Sequence, residues 1–187
     1  MLEDGKRISY NDFKPTGGRN TGKNTELLDS LYQHMITYYS GDPKRIQHFV
    51  KVHGFARLIG HMEAIPDETL LILEAAAYVH DIGIKPAERL YGSCSGNYQE
   101  ELGPAPAADM LKQCGFSAGQ IERITYLVGH HHTYNNIDGL DYQILVEADF
   151  LVNFYEDATG TDAIRHACET VFKTVSGREI CRTMFDL

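Results

Sequence analysis

The chain has no tryptophan, and its four cysteines (Cys94, Cys114, Cys168 and Cys181) include no CxxC pair. It therefore offers neither a zinc ribbon nor a dithiol redox motif. Reduced thiols in a cytoplasmic protein are expected, with Cys114 and Cys168 as core packing. No apolar run approaches the ~20 residues needed to cross a bilayer. The start, Met1-Leu2-Glu3-Asp4-Gly5, lacks the basic and apolar stretches of a secretory signal. No basic block is present either. The net charge of −9 is spread along the chain, which argues against a nucleic-acid polymer or a membrane surface as partner. Strand-period alternation is missing, so no sheet is expected. What remains is a soluble chain of 187 residues, long enough for one domain with a substantial core.

That chain reads as helix after helix. Residues 1–23 are polar and Gly-rich and are expected to form a mobile arm, with a helical domain over 24–187. The arm contains Gly17-Gly18-Arg19-Asn20-Thr21-Gly22-Lys23-Asn24, which nearly fits a phosphate loop. Asn24 stands where that loop needs Ser or Thr, and no buried strand precedes it. A first helix is expected over about 24–39. Asp42-Pro43 caps and starts a second, reaching about residue 63. Pro66-Asp67 opens a third that ends at His80-Asp81, near Gly83. Ile84 to Gln99 reads as one long loop. Gly103-Pro104 begins a short helix that Gly115 closes. Ser117 and Gln120 form a capping box for a helix to about His131. Apolar helices follow over about 140–157 and 161–175, and Gly177 precedes a last short amphipathic piece.

Against this apolar background, a few polar residues are out of place. Asp149 is a lone carboxylate in Ile144-Leu145-Val146-Glu147-Ala148-Asp149-Phe150-Leu151-Val152, on the face shared by Leu145 and Val152. An unpaired buried carboxylate costs several kcal/mol or is forced to protonate. His80-Asp81 ends the run from Leu70 to Val79, where the helix dipole disfavours an anion. His48 lies on a third apolar stripe, His48-Val52-Phe55-Ile59-Met62. Two carboxylates and two imidazoles on apolar faces are tolerable together if they surround a cation. The sequence thus points to a metal ion in a helical core.

The ordered set His48, His80-Asp81, Asp149, with Tyr78-Val79-His80-Asp81-Ile82-Gly83 around the pair, resembles the HD-domain superfamily of metal-dependent phosphohydrolases. The resemblance spans roughly residues 43–155. It implies an all-α, single-domain helical bundle with a buried metal site formed by His48, His80, Asp81 and Asp149. Such a donor set suits Fe, Mn, Co, Ni or Zn, and Mg less naturally. The implied reaction is hydrolysis of a small phosphorylated metabolite, a nucleotide first, by attack of a metal-activated water that Asp81 also helps to orient.

His131 continues the stripe Ile121-Ile124-Val128 and is a candidate catalytic group. With His130 it is also a candidate for a second metal. Relatives with two metals carry a further His at the position of Gln99, so this departure weighs against a full second site unless Glu100 or Glu101 substitutes. Lys85, just past the His-Asp pair, and Arg45, three residues before His48, are candidates to bind and neutralise a phosphate. His34, His53, His61 and His166 read as structural or exposed. Two other readings use the same scaffold: an HD-type di-iron oxygenase, and a non-catalytic helical module braced by its metal.

Overall fold

The computed structural model describes residues 21–187. Among them are ten α-helices, a short 3-10 turn and no strand. The arm expected over 1–23, with most of its near phosphate loop, lies outside the described residues. The first helix, α1, spans Thr21–Tyr38, so the last three residues assigned to the arm are helical.

α2 (Pro43–Met62) starts where Asp42 accepts the Arg45 N–H, with Pro43 in the first turn. α3 (Asp67–Val79) follows Pro66 and runs into the 3-10 turn His80–Gly83. The stretch expected as one long loop instead forms α4 (Ile84–Tyr91) and α5 (Gly96–Leu102). Its apolar stripe is narrow, with Ile84 and Ala87 buried on α4, which is why periodicity alone missed it. α6 (Pro104–Cys114) ends at Gly115 in the left-handed region, and α7 (Ala118–Val128) carries the Ser117/Gln120 capping box. α8 (Leu140–Glu156), α9 (Thr161–Thr170) and α10 (Val175–Phe185) complete the order. α9 stops short of its expected end. Thr174 caps α10, and Gly177, expected as a separator, lies inside that helix.

α2, α3 and α8 pack on one another at the centre, with α7 and α1 against α3 and α10 against α8, α9 and α2. Ala75, Ala76 and Ala77 are fully buried and let helices approach α3 closely. On α2 the buried stripe is His48, Phe49, Val52, Ala56 and Ile59. Met62, expected on that stripe, is 49% exposed. Gly83 allows the 3-10 turn to touch α5: a Cβ there would lie 2.4 Å from the Gln99 carbonyl oxygen.

Asp149 is not the only buried carboxylate on α8. Glu147 is fully buried. It accepts hydrogen bonds from Gln143 Nε2 (2.7 Å), the backbone N–H groups of Lys173 (2.6 Å) and Thr174 (2.9 Å), and the Thr174 hydroxyl. Residue 177 must be glycine for the same reason, since a Cβ would sit 2.0 Å from Glu147 Oε2. The carboxylate ties the start of α10 to the core. Glu147→Ala would leave these donors unpaired and is expected to lower stability by about 3 kcal/mol. Denaturant midpoints check this; an unchanged midpoint would remove Glu147 from the stabilising network.

Candidate metal centre

His48 projects from α2, His80 and Asp81 from the 3-10 turn, Asp149 from α8, and His131 and His132 from the turn after α7. His48 Nε2 lies 3.2 Å from His80 Nε2, 3.2 Å from Asp149 Oδ1 and 3.5 Å from Asp81 Oδ2. His80 Nε2 lies 3.5 Å from Asp81 Oδ2 and 3.6 Å from Asp149 Oδ1. The other Asp81 oxygen, Oδ1, lies 3.5 Å from His131 Nε2. Donor atoms of His48, His80 and Asp81 all fall within 4.8 Å of one another, as do those of Asp81, His131 and His132. Asp81 thus belongs to two adjoining groups.

Three imidazoles are turned the same way. His48 Nδ1 meets Glu156 Oε2 at 3.0 Å, His80 Nδ1 meets the Ala77 carbonyl at 2.9 Å, and His131 Nδ1 meets the Val128 carbonyl at 2.8 Å. An acceptor on Nδ1 keeps the proton there and leaves the Nε2 lone pair facing the cluster. The buried atoms Asp149 Oδ1, His131 Nε2 and His132 Nε2 have no hydrogen-bond partner. Asp149 Oδ1 is close to two imidazole nitrogens without hydrogen-bonding alignment, so these lone pairs converge on a shared space. Orphaned buried acceptors of mixed N and O type fit a cation.

Electrostatics agree. Burial opposes the charged forms of His48 and His80. Around His48, Asp149 and Asp81 outweigh it and hold the imidazole above its ordinary value. Asp81 and then Asp149 raise His80 to about 9. Burial likewise opposes ionised Asp81, but His80 first, then His131 and His48, holds it well below the usual carboxylate range. Asp149 is lowered against burial by His48 and His80. His132 moves the other way, to about 4, through burial and then His131.

Protons on histidine therefore neutralise the carboxylates in the metal-free protein. For His80, whose pKa rises from 6.5 to about 9, that stabilisation is full below 6.5 and is lost as pH climbs through 9. The melting temperature of chelated protein is expected to fall across this window. Metal-loaded protein should hold steady there, because the cation displaces those protons. Parallel melting curves against pH would contradict this.

The sequence reading missed Glu156. Besides His48, it accepts from Lys51 Nζ at 2.5 Å, which fixes it in place. It lies seven residues, two helical turns, beyond Asp149 on one face of α8, a spacing that could have revealed it. Glu156→Gln is expected to weaken metal binding ~10-fold or more while barely moving the melting temperature. Competition with a chelating dye measures the affinity, and unchanged affinity would make Glu156 a plain salt-bridge residue.

Other expected site residues fall elsewhere. α7 ends at Val128, and residues 130–132 form turns, not helix. The ~100° helical step therefore does not apply, and His131 and His132 converge on Asp81. His130, expected beside His131 at a second metal, instead stacks on Tyr126 with its Nδ1 2.7 Å from the Tyr126 carbonyl. The turn is pinned by the Tyr142 hydroxyl, which donates to the carbonyls of His130 and Thr133, and by Glu100, which accepts from His132 N–H at 3.0 Å. Gln99 is buried and donates to the Cys94 carbonyl. Glu101 is exposed.

Lys85, expected at a phosphate, donates to the Tyr38 carbonyl at 2.7 Å and sits over the Tyr38 ring. Arg45, expected as a phosphate clamp, pairs with Asp42 at 2.8 Å and Glu88 at 2.6 Å, linking α2 to α4. The structure brings neither to the cluster. His53 pairs with Glu74 and stacks on Tyr78.

No family model and no curated protein matches the chain. Its fold matches a crystal structure of a predicted HD superfamily hydrolase from an uncultured Thermotogales bacterium, with a TM-score of 0.59 and 26% identity, covering 87% of this chain and 84% of that one. The chain has the fold of an HD domain. In this HD domain the His-Asp pair sits on a 3-10 turn, held from outside by the Tyr39 hydroxyl donating to the Asp81 carbonyl at 2.7 Å. The HD cluster faces α8 through Asp149 and the post-α7 turn through His131. No described helix is long and apolar enough to cross a membrane.

Proposed function

We propose that the protein is a metal-dependent phosphohydrolase acting on a small phosphorylated metabolite, a nucleotide first. His48, His80, Asp81 and Asp149 hold a divalent transition metal (Fe, Mn, Co, Ni or Zn), with Mg less suited to two imidazoles. The observation that carries this reading is the shared orientation of His48, His80 and His131, with Nδ1 outward and Nε2 inward, around two carboxylates. The structural neighbour's designation as a hydrolase supports it as well.

A metal bound here supplies a Lewis acid that polarises a phosphoryl oxygen and acidifies a water. Asp81 presents one oxygen to each half of the cluster and orients the attacking water through it. His131 Nε2, whose lone pair faces the cluster 3.5 Å from Asp81 Oδ1, is placed to pick up a proton and pass it to the leaving oxygen. His132, kept neutral, adds a polar contact for the phosphoryl group without bringing charge.

The test is phosphate release by metal-loaded and chelated protein from a panel of nucleotides and sugar phosphates. Metal-dependent release is expected. A fully loaded protein that releases none would leave the metal a structural brace. The second group, Asp81, His131 and His132, is the one feature that favours the di-iron oxygenase reading. Oxygen consumption by iron-loaded protein without phosphate release would establish that alternative.

A further inference from the structure

A cavity of about 360 Å³ opens beside the metal centre, lined by His132, Tyr134, Phe150, Asn153, Phe154 and Asp157, and by Ala163 and Ala167 of α9. His132, which lines it, is a member of the Asp81 group, and its buried Nε2 has no hydrogen-bond partner. Phe150, Asn153, Phe154 and Asp157 lie on one face of α8 and its cap, which forms one side of the cavity. Phe150 follows Asp149 directly, and Asn153 lies one turn on, ~6 Å along the axis. Asp157 caps the helix end. The Tyr134 ring, 45% exposed, stands 5.2 Å from Phe150, which in turn stands 5.5 Å from Phe154. Burial, then the Asp149 charge, pushes the Tyr134 hydroxyl up to about 12, in keeping with its place near the cluster.

We propose that this cavity is the subsite for the non-phosphate end of the substrate, and that it takes a planar heterocycle with N–H donors along its edge. The proposal rests on the phosphohydrolase reading and adds its substrate chemistry. Ring faces stack on Tyr134 and Phe150. The Asn153 amide both donates and accepts, and the Asp157 carboxylate accepts only, so this side selects N–H groups. A second anionic group is disfavoured there by Asp157 and by the net charge of −9. The volume sits at the small end of ligand pockets, enough for one ring system and too little for a polymer.

Guanosine is the probe, because its edge presents two adjacent N–H donors to a carboxylate and it carries no phosphate to be hydrolysed. Metal-loaded full-length protein should bind guanosine at least 10-fold tighter than ribose. Ala167→Leu fills the cavity with a good helix former and should weaken guanosine at least 10-fold, with metal content and melting temperature unchanged. It should raise KM for guanosine monophosphate and leave glycerol phosphate untouched. Should that variant fail to fold, Asp157→Asn at the exposed helix end carries the test alone, with an expected 3-fold or greater loss. Guanosine binding no better than ribose, or undiminished in the variant tested, overturns the proposal. If guanosine binds as stated but no phosphate ester is hydrolysed, the subsite stands and the phosphohydrolase reading falls. If esters are hydrolysed but guanosine does not bind, the subsite falls alone.

Discussion

Asp81→Ala is expected to abolish metal binding and turnover together. Among the described residues, Asp81 is the one whose two oxygens face both halves of the cluster, Oδ2 toward His48 and His80 and Oδ1 toward His131. Losing an outer partner of a metal ligand costs ~10–100-fold in affinity, and losing this carboxylate should exceed that range. The metal-free fold should lose most stability near and below pH 6.5, where His80 carries its proton, and differ less from the parent as pH climbs through 9. Without Asp81, the carboxylate that most favours the protonated form of buried His80 is gone, so part of the His80–carboxylate attraction is lost. Metal content by mass spectrometry and phosphate release on the same preparation check the expectation. Full metal occupancy in this variant would remove Asp81 from the ligand set.

His131→Ala should leave the first metal in place, because His48, His80, Asp81 and Asp149 all remain. Turnover should fall ~10²-fold or more, the scale of a positioned proton donor. If the Asp81, His131 and His132 group also holds a cation, bound metal should drop from two to one per chain. His131 is buried at 1% exposure and bonded to the Val128 carbonyl, so a purely structural role has its own signature. In that case the melting temperature would fall while turnover per folded molecule survived. Stoichiometry, melting and turnover on this one variant separate the outcomes.

The four-residue set was legible because each member sits where an apolar helix should carry no polar group. His48, His80, Asp81 and Asp149 stand out against Val52, Val79 and Leu145. The helix starts were legible for an equally local reason, since Asp42-Pro43 and Ser117 with Gln120 are capping chemistry that acts within one turn. What failed depended on where a helix stops. Extending α7 to residue 131 put His130 and His131 on adjoining helix faces and hid His132. In fact the chain leaves the helix at Gly129, and Glu100 and Tyr142 then fix the turn from other elements. Such long-range ties leave no periodic trace. Lys85 and Arg45 were plausible by proximity in sequence, but each found an earlier partner, in Tyr38 and in Asp42 with Glu88. Glu147 has no local sequence signal that sets it apart from an exposed helix glutamate. Its burial becomes evident only once the N–H groups of Lys173 and Thr174, just before α10, turn onto it.

The central claim is that these side chains bind one shared cation. An anomalous-difference map from crystals of the manganese-loaded protein tests it most directly. The expected result is a peak within coordination distance of His48 Nε2, His80 Nε2, Asp81 Oδ2 and Asp149 Oδ1. A peak elsewhere, or a fully loaded protein with two of these four atoms several ångströms from the ion, would contradict it.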